Sequence, residues 1–163
     1  MSVNRYQPHI FVLPEDDANR QLANGFLLPR DLSDRNIQVL EEAGGWNEVL
    51  LRFVNDHVTG MERYVQRHMV LLIDFDNRKE RLQIAKQRIP EHLADRVFIL
   101  GALDEPERLK SAIPGTYESI GLALARDCRA GTDATWGHPL LRHNAGELGR
   151  LIPRVRSILF PTP

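Results

Sequence analysis

The chain has 163 residues, 42% of them hydrophobic and 26% charged, with a formal net charge of −1. That length suits one domain with a substantial core, and that charge excludes a global attraction to nucleic acid while leaving room for a local basic face. Only Lys79, Lys86 and Lys110 among its 21 cationic side chains are lysines, and Cys128 is the single cysteine. An intrachain disulfide is therefore excluded, and a reducing compartment fits. No stretch approaches the roughly 18 apolar residues of a membrane span, and the N-terminus lacks a basic-then-apolar signal pattern. The expectation is a cytoplasmic protein without a membrane partner.

Residues 1–8 are polar and end in Pro8, which reads as a loose leader. His9 to Leu13 is a short apolar run closed by Pro14, as a buried strand should be. Asp16-Asp17-Ala18-Asn19 supplies an N-cap region, Leu22 and Phe26 follow at helical spacing, and Pro29 is expected to stop that helix. Ile37 to Leu40 is a weaker strand, and Gly44-Gly45 a turn.

Over 46–67 the residues Trp46, Val49, Leu50, Phe53, Val54, His57, Val58 and Met61 recur at three- and four-residue intervals, which predicts a helix with one broad apolar face. Gly60 is the expected weak point. Met69 to Ile73 is an unbroken apolar run, the pattern of a strand covered on both faces. A charged helix over 77–89 ends at Pro90, and Val97 to Leu100 forms another strand. Asp104 to Ile113 reads as a short helix with Pro106 in its first turn. Helices are expected over 117–128 and 140–152, a loop over 130–139, and a last strand or short helix over 154–160. Alternating strands and helices predict an α/β three-layer sandwich, Rossmann-like, with a mainly parallel sheet of four or five strands. One domain is expected, with an acidic-motif core over 9–101 and a mostly helical part over 102–163.

The functional signal is where the acids fall. Ile10-Phe11-Val12-Leu13-Pro14 runs into Glu15-Asp16-Asp17, and Met69-Val70-Leu71-Leu72-Ile73 runs into Asp74-Phe75-Asp76. In an open α/β sheet, ligands bind outside the carboxyl ends of the strands. Two carboxylate sets at two such ends can share one crevice and suit a hard cation such as Mg²⁺ or Mn²⁺. If the second strand continued through Asp74 and Asp76, both would face one side and Phe75 the other. A metal held there could polarise a phosphoryl oxygen or activate water, and Glu15 could serve as general acid or base. Asp16, Asp17 and Asp76 also suit helix caps. Asp74 suits a cap less well, because it directly follows a buried strand, where an unpaired charge is costly.

These motifs resemble the TOPRIM domain shared by topoisomerases, primases, recombination mediators and OLD-type nucleases. That family carries a glutamate after its first strand and an Asp-x-Asp after a later one. The resemblance covers residues 9–101 and implies Glu15 as acid/base or ligand and Asp74 and Asp76 as Mg²⁺ ligands. Asp16 and Asp17 would give support, and Arg20 or Arg78 would hold phosphate. It implies a Mg²⁺-dependent protein acting on phosphodiesters, a small nuclease in the sharpest form, with nucleic acid as partner. Two positions depart from the family: Asp16 and Asn77 stand where glycine is common.

Val12 to Leu22 also resembles the opening of a response-regulator receiver domain. There Asp16 and Asp17 would hold Mg²⁺ and Asp74 would accept phosphoryl, in a signalling or interaction module. The departures are a long stretch before Asp74, Gly101-Ala102 where Thr or Ser is usual, and no lysine ending a fifth strand. A haloacid-dehalogenase-type site ranks third, since its Asp-x-Asp belongs on the first strand. Elsewhere, Cys128, His138 and His143 match no zinc spacing. Arg126, Arg129, Arg142, Arg150, Arg154 and Arg156 read as a solvated face or a phosphate-facing patch. Trp46 reads as core, and Trp136 as a contact residue or lid anchor within its loop.

Overall fold

The computed structural model describes residues 3–162. Four strands, β1 (His9–Pro14), β2 (Ile37–Val39), β3 (Arg67–Leu72) and β4 (Val97–Leu100), form one all-parallel sheet in the order β2-β1-β3-β4. Among the described residues seven α-helices accompany them: α1 (Asp17–Phe26), α2 (Trp46–Arg52), α3 (Val58–Arg63), α4 (Glu80–Arg88), α5 (Pro106–Ala112), α6 (Tyr117–Ala130) and α7 (Ala145–Leu159). The result is the expected three-layer, Rossmann-like α/β sandwich, with four strands.

Strand alternation divides the core in two. Ile10, Val12, Val70, Phe98 and Leu100 face α1, α5, α6 and α7. Phe11, Leu13, Met69, Leu71, Val97 and Ile99 face α2, α3 and α4. The C-terminal helices thus complete the core of the N-terminal strands. From β1 the chain steps to β2 on one side, then crosses back to place β3 on the other side of β1. This reversal makes the β1/β3 boundary the topological switch point, where an α/β sheet opens a crevice.

Helix α1 lies tightly on α6. A Cβ at Gly25 would fall 2.1 Å from the carbonyl oxygen of Glu118, and one at Gly121 would fall 2.0 Å from that of Leu22. The outer edge of β4 is closed by side chains from α7 and the turn before it. Ile99 N–H donates to Oε1 of Glu147 at 3.1 Å, Arg150 donates to the Val97 carbonyl at 2.9 Å, and Asn144 bonds both main-chain groups of Gly101 at 3.0 and 3.1 Å. A bare parallel edge would invite strand addition, and these polar contacts occupy it.

Several expectations need correction. The helix over 46–67 is three pieces, because a π-helical turn at Phe53–His57 separates α2 from α3. The break lies there and not at Gly60, and β3 begins earlier, at Arg67. The separate helix over 140–152 and the element over 154–160 are one helix, α7, which runs through Pro153. A helix-interior proline costs about 3 kcal/mol, but the buried stripe Leu151, Val155 and Leu159 continues across it and offsets that cost. Trp136 is buried core, with its indole N–H on the Leu124 carbonyl at 3.2 Å. Trp46 is only half-buried.

Candidate active site at the switch point

Pro14 ends β1, yet pairing continues one residue further, with Glu15 N–H donating to the Leu72 carbonyl at 2.9 Å. Asp16 then caps α1, accepting the Asn19 N–H at 2.9 Å. That cap fixes the first turn of α1 and sends Asn19, fully buried, inward under the sheet end. Its Nδ2 donates to Oδ1 of Asp74 at 2.9 Å. The Asp74 N–H returns a bond to Oε2 of Glu15 at 2.6 Å. Glu15, Asp16, Asn19 and Asp74 therefore close a ring of polar contacts across the β1/β3 boundary.

The alternation of β3 puts Asp74 on the α1 side, after Val70 and Leu72, and sends Phe75 into the opposite core, where it is buried. Pairing with the β4 side persists through this stretch, from Ile73 and Phe75 N–H to the carbonyls of Leu100 and Ala102. Burial is the main cause that lifts the Asp74 carboxyl to about 8; the Glu15 and Asp16 charges add to it, and the Asn19 bond opposes it. Glu15 also rises, chiefly through burial, against the Asp74 N–H that stabilises its charge. Mutual repulsion of carboxylates sharing one site is a standard cause of such shifts.

Asp76 departs from this ring. It and Asn77 take positive φ values of 51° and 57°, the left-handed region that Asp and Asn tolerate better than most residues. The turn ends the alternation, and Asp76 joins Asp104 and Glu105, whose carboxylate oxygens lie within 4.8 Å of one another. Asp104 is bridged by Arg108 at 3.4 Å. The outer trio and the inner ring are linked by Arg81. Its guanidinium donates to the Asp74 carbonyl at 2.7 Å, lies 3.7 Å from Oδ2 of Asp76, and stacks on Trp46 at 4.6 Å.

Of the residues expected from sequence, the fold brings Glu15, Asp16 and Asp74 together. Asp17 is exposed on α1 and tied to Arg20 and Gln21. Arg20 bridges Asp17 and Glu42, the latter at 3.0 Å. Arg78 is exposed. Sequence reasoning missed Asn19, Arg81, Asp104 and Glu105. Asp104-Glu105 comes after β4, beyond Gly101-Ala102-Leu103, so a strand-end rule extended by those three residues could have found it. Arg81 gave no signal, because it reads as an ordinary helix residue, and Asn19 reads only as part of the N-cap region. Cys128 is buried and its thiol is pushed up to about 11, so it is not a nucleophile at neutral pH.

No family model, no curated protein and no solved structure matches this chain.

Proposed function

We propose that the protein is a Mg²⁺-dependent, TOPRIM-like enzyme that cleaves phosphodiesters, a small nuclease working at the β1/β3 switch point in a reducing cytoplasm. The observation that carries this reading is the 2.6 Å bond from the Asp74 main-chain N–H to the Glu15 carboxylate, which ties the acidic ends of β1 and β3 together, both side chains half-buried. The donor set is all oxygen, as a hard cation requires. Asn19 Oδ1 is buried and has no partner, leaving one more oxygen unsatisfied beside the carboxylates. A cation bound there would lower the raised Asp74 and Glu15 values by direct attraction.

In this reading Glu15 and Asp74 hold the ion, Asp16 adds negative charge beside them, and Asn19 orients the Asp74 carboxyl. Bound Mg²⁺ would supply charge stabilisation at a phosphoryl oxygen. Where Asp74 alone holds the ion, Glu15 would instead exchange a proton with the attacking or leaving oxygen. Arg81 steadies the Asp74 main chain. Asp76 reaches the same ion only by leaving Asp104 and Glu105.

The test is cleavage of labelled single- and double-stranded DNA and RNA with Mg²⁺ or Mn²⁺. Glu15→Gln is expected to lower the rate by about 10²–10⁴ with the fold intact. Absence of cleavage by the wild type, or full activity in the variant, would overturn the assignment.

The receiver-like reading draws on one observation, the strand order, which flavodoxin-like sheets share for their first four strands. It needs Asp16, Asp17 and Asp74 around one ion, whereas Asp17 is engaged by Arg20 and Gln21 outside the ring. Stable phosphorylation of Asp74 by a small phosphodonor, without nuclease activity, would favour it.

A further inference from the structure

The amino ends of the strands carry the opposite chemistry. β1 starts at His9, β3 at Arg67 and β4 at Val97, so the residues just before them share one pole of the sheet. Arg5 and Tyr6 precede β1, Arg63 and Tyr64 precede β3, and Arg96 precedes β4. Tyr64 is the hub. The guanidinium carbons of Arg5, Arg63 and Arg67 lie 5.7, 5.4 and 4.9 Å from its ring centre. Tyr6 meets the same ring edge-on at 5.7 Å and is 73% exposed.

Arg67 is the least expected member. It is 5% exposed, gives its Nε–H to Nε2 of His9 at 3.0 Å, and lies 4.1 Å over Phe11. Among the described residues, none of Arg5, Arg63, Arg67 and Arg96 forms a salt bridge with a carboxylate. Two carboxylates of this end are already engaged, Glu62 with His92 at 2.8 Å and Asp95 with Arg154 at 3.6 Å. Arg96 holds the loop in place, donating to the carbonyls of Met61, Tyr64 and Arg67 at 3.0, 3.3 and 2.9 Å.

Buried charges are normally paired. Stacking on Phe11 and Tyr64 offsets part of the cost at Arg67 but brings no negative charge. Burial, and then the Arg5 charge, lower the proton affinity of Arg67. An anion would relieve all of these. The planar arginine fork fits phosphate, and an exposed tyrosine beside it offers a stacking face. A positive surface interleaved with aromatic rings is the usual platform for single strands.

We propose that this pole binds single-stranded nucleic acid, with phosphates held by Arg5, Arg63 and Arg67 and a base stacked on Tyr6. The six residues of β1, at roughly 3.3 Å each, set it about 20 Å from Glu15. It is a separate surface and does not depend on the acidic site being catalytic.

The test is fluorescence anisotropy of a labelled thymidine oligonucleotide with the full chain, at low salt in EDTA, so that the acidic site plays no part. The wild type is expected to bind, more weakly as salt rises. The double variant Arg5→Gln/Arg63→Gln removes two exposed side chains and should cost at least about tenfold in affinity, with a salt slope shallower by about 1.4. Tyr6→Ala should weaken binding about fivefold or more and leave the slope unchanged. Asp74→Asn should bind as the wild type does, which separates this proposal from the nuclease reading. No binding by the wild type, or equal affinity and slope in the double variant, would overturn the proposal. Displacement by inorganic phosphate as effective as by thymidine 5′-monophosphate would overturn the stacking part.

Discussion

Asp74 and Asp76 stand two residues apart at the end of the same strand, yet the fold treats them as different chemical groups. Asp74 is half-buried, held by Asn19, and raised to about 8 by burial and by its acidic neighbours. Asp76 is exposed, and its close neighbours include the guanidinium of Arg81. The difference begins in the backbone, where the positive φ of Asp76 turns it out of the strand alternation. It is completed by α1, which lays a buried amide against one aspartate only. Spacing in the sequence makes two acids candidates for one site, and the local turn decides whether they share it.

The strongest way to break the inner environment is to lift α1. A side chain at Gly121 meets the Leu22 carbonyl, so Gly121→Val forces the α1–α6 contact apart. Overpacking of this kind costs about 3 kcal/mol, readable by denaturant unfolding. The Asp74 carboxyl should also fall toward its ordinary value as α1 lifts and water reaches it, because burial is the main cause of its rise and outweighs the lowering Asn19 bond lost with it; the carboxyl ¹³C shift would report this. Unchanged stability together with an unchanged Asp74 titration would mean that α1 does not maintain the inner ring.

A gentler test uses pH. The folded Asp74 carboxyl titrates near 8 and the unfolded one near 3.8. Between those values the folded state keeps a proton that the unfolded state has lost. The Asp74 contribution to stability is therefore fully present below the unfolded value, falls as pH rises through this window, and is lost above the folded value. The slope is at most about 1.4 kcal/mol per pH unit. The difference in unfolding free energy between the wild type and Asp74→Asn, measured from acid to alkaline pH, should show this fall, since the buried histidines act alike in both. Saturating Mg²⁺ should flatten the wild-type curve, because a bound cation favours the ionised carboxyl. A flat metal-free difference between the wild type and Asp74→Asn would show that Asp74 is not raised.

The strands and the strand-end acids were legible because each depends on local pattern. The apolar runs before Glu15 and Asp74 mark buried strands, and the acids mark their carboxyl ends. What was hidden depends on contacts between distant segments. Asn19 reads as part of a cap, and only the crossing of α1 over the sheet brings it to Asp74, 55 residues away. Arg81 reads as one charge in a polar helix, and its role follows from the turn at Asp76 and the position of Trp46. The π-helical turn at Phe53–His57 and the passage of α7 through Pro153 were hidden for a related reason. Helical spacing and a proline are local signals, and packing against the sheet overrode both.

Asp76→Asn should give the smallest effect, and its smallness is informative. The side chain is exposed, and its nearest cation, Arg81, remains bonded to the Asp74 carbonyl. Stability should stay within about 0.5 kcal/mol of the wild type. If the inner ring works alone, the fall of stability with pH should persist, and Mn²⁺ affinity should change far less than in Glu15→Gln or Asp74→Asn. Calorimetric titration of all three variants with Mn²⁺ measures this. An Asp76 loss equal to the Asp74 loss would mean that the ion draws Asp76 away from Asp104 and Glu105. The Asp-x-Asp spacing would then describe the metal-bound site better than the geometry of the free carboxylates does.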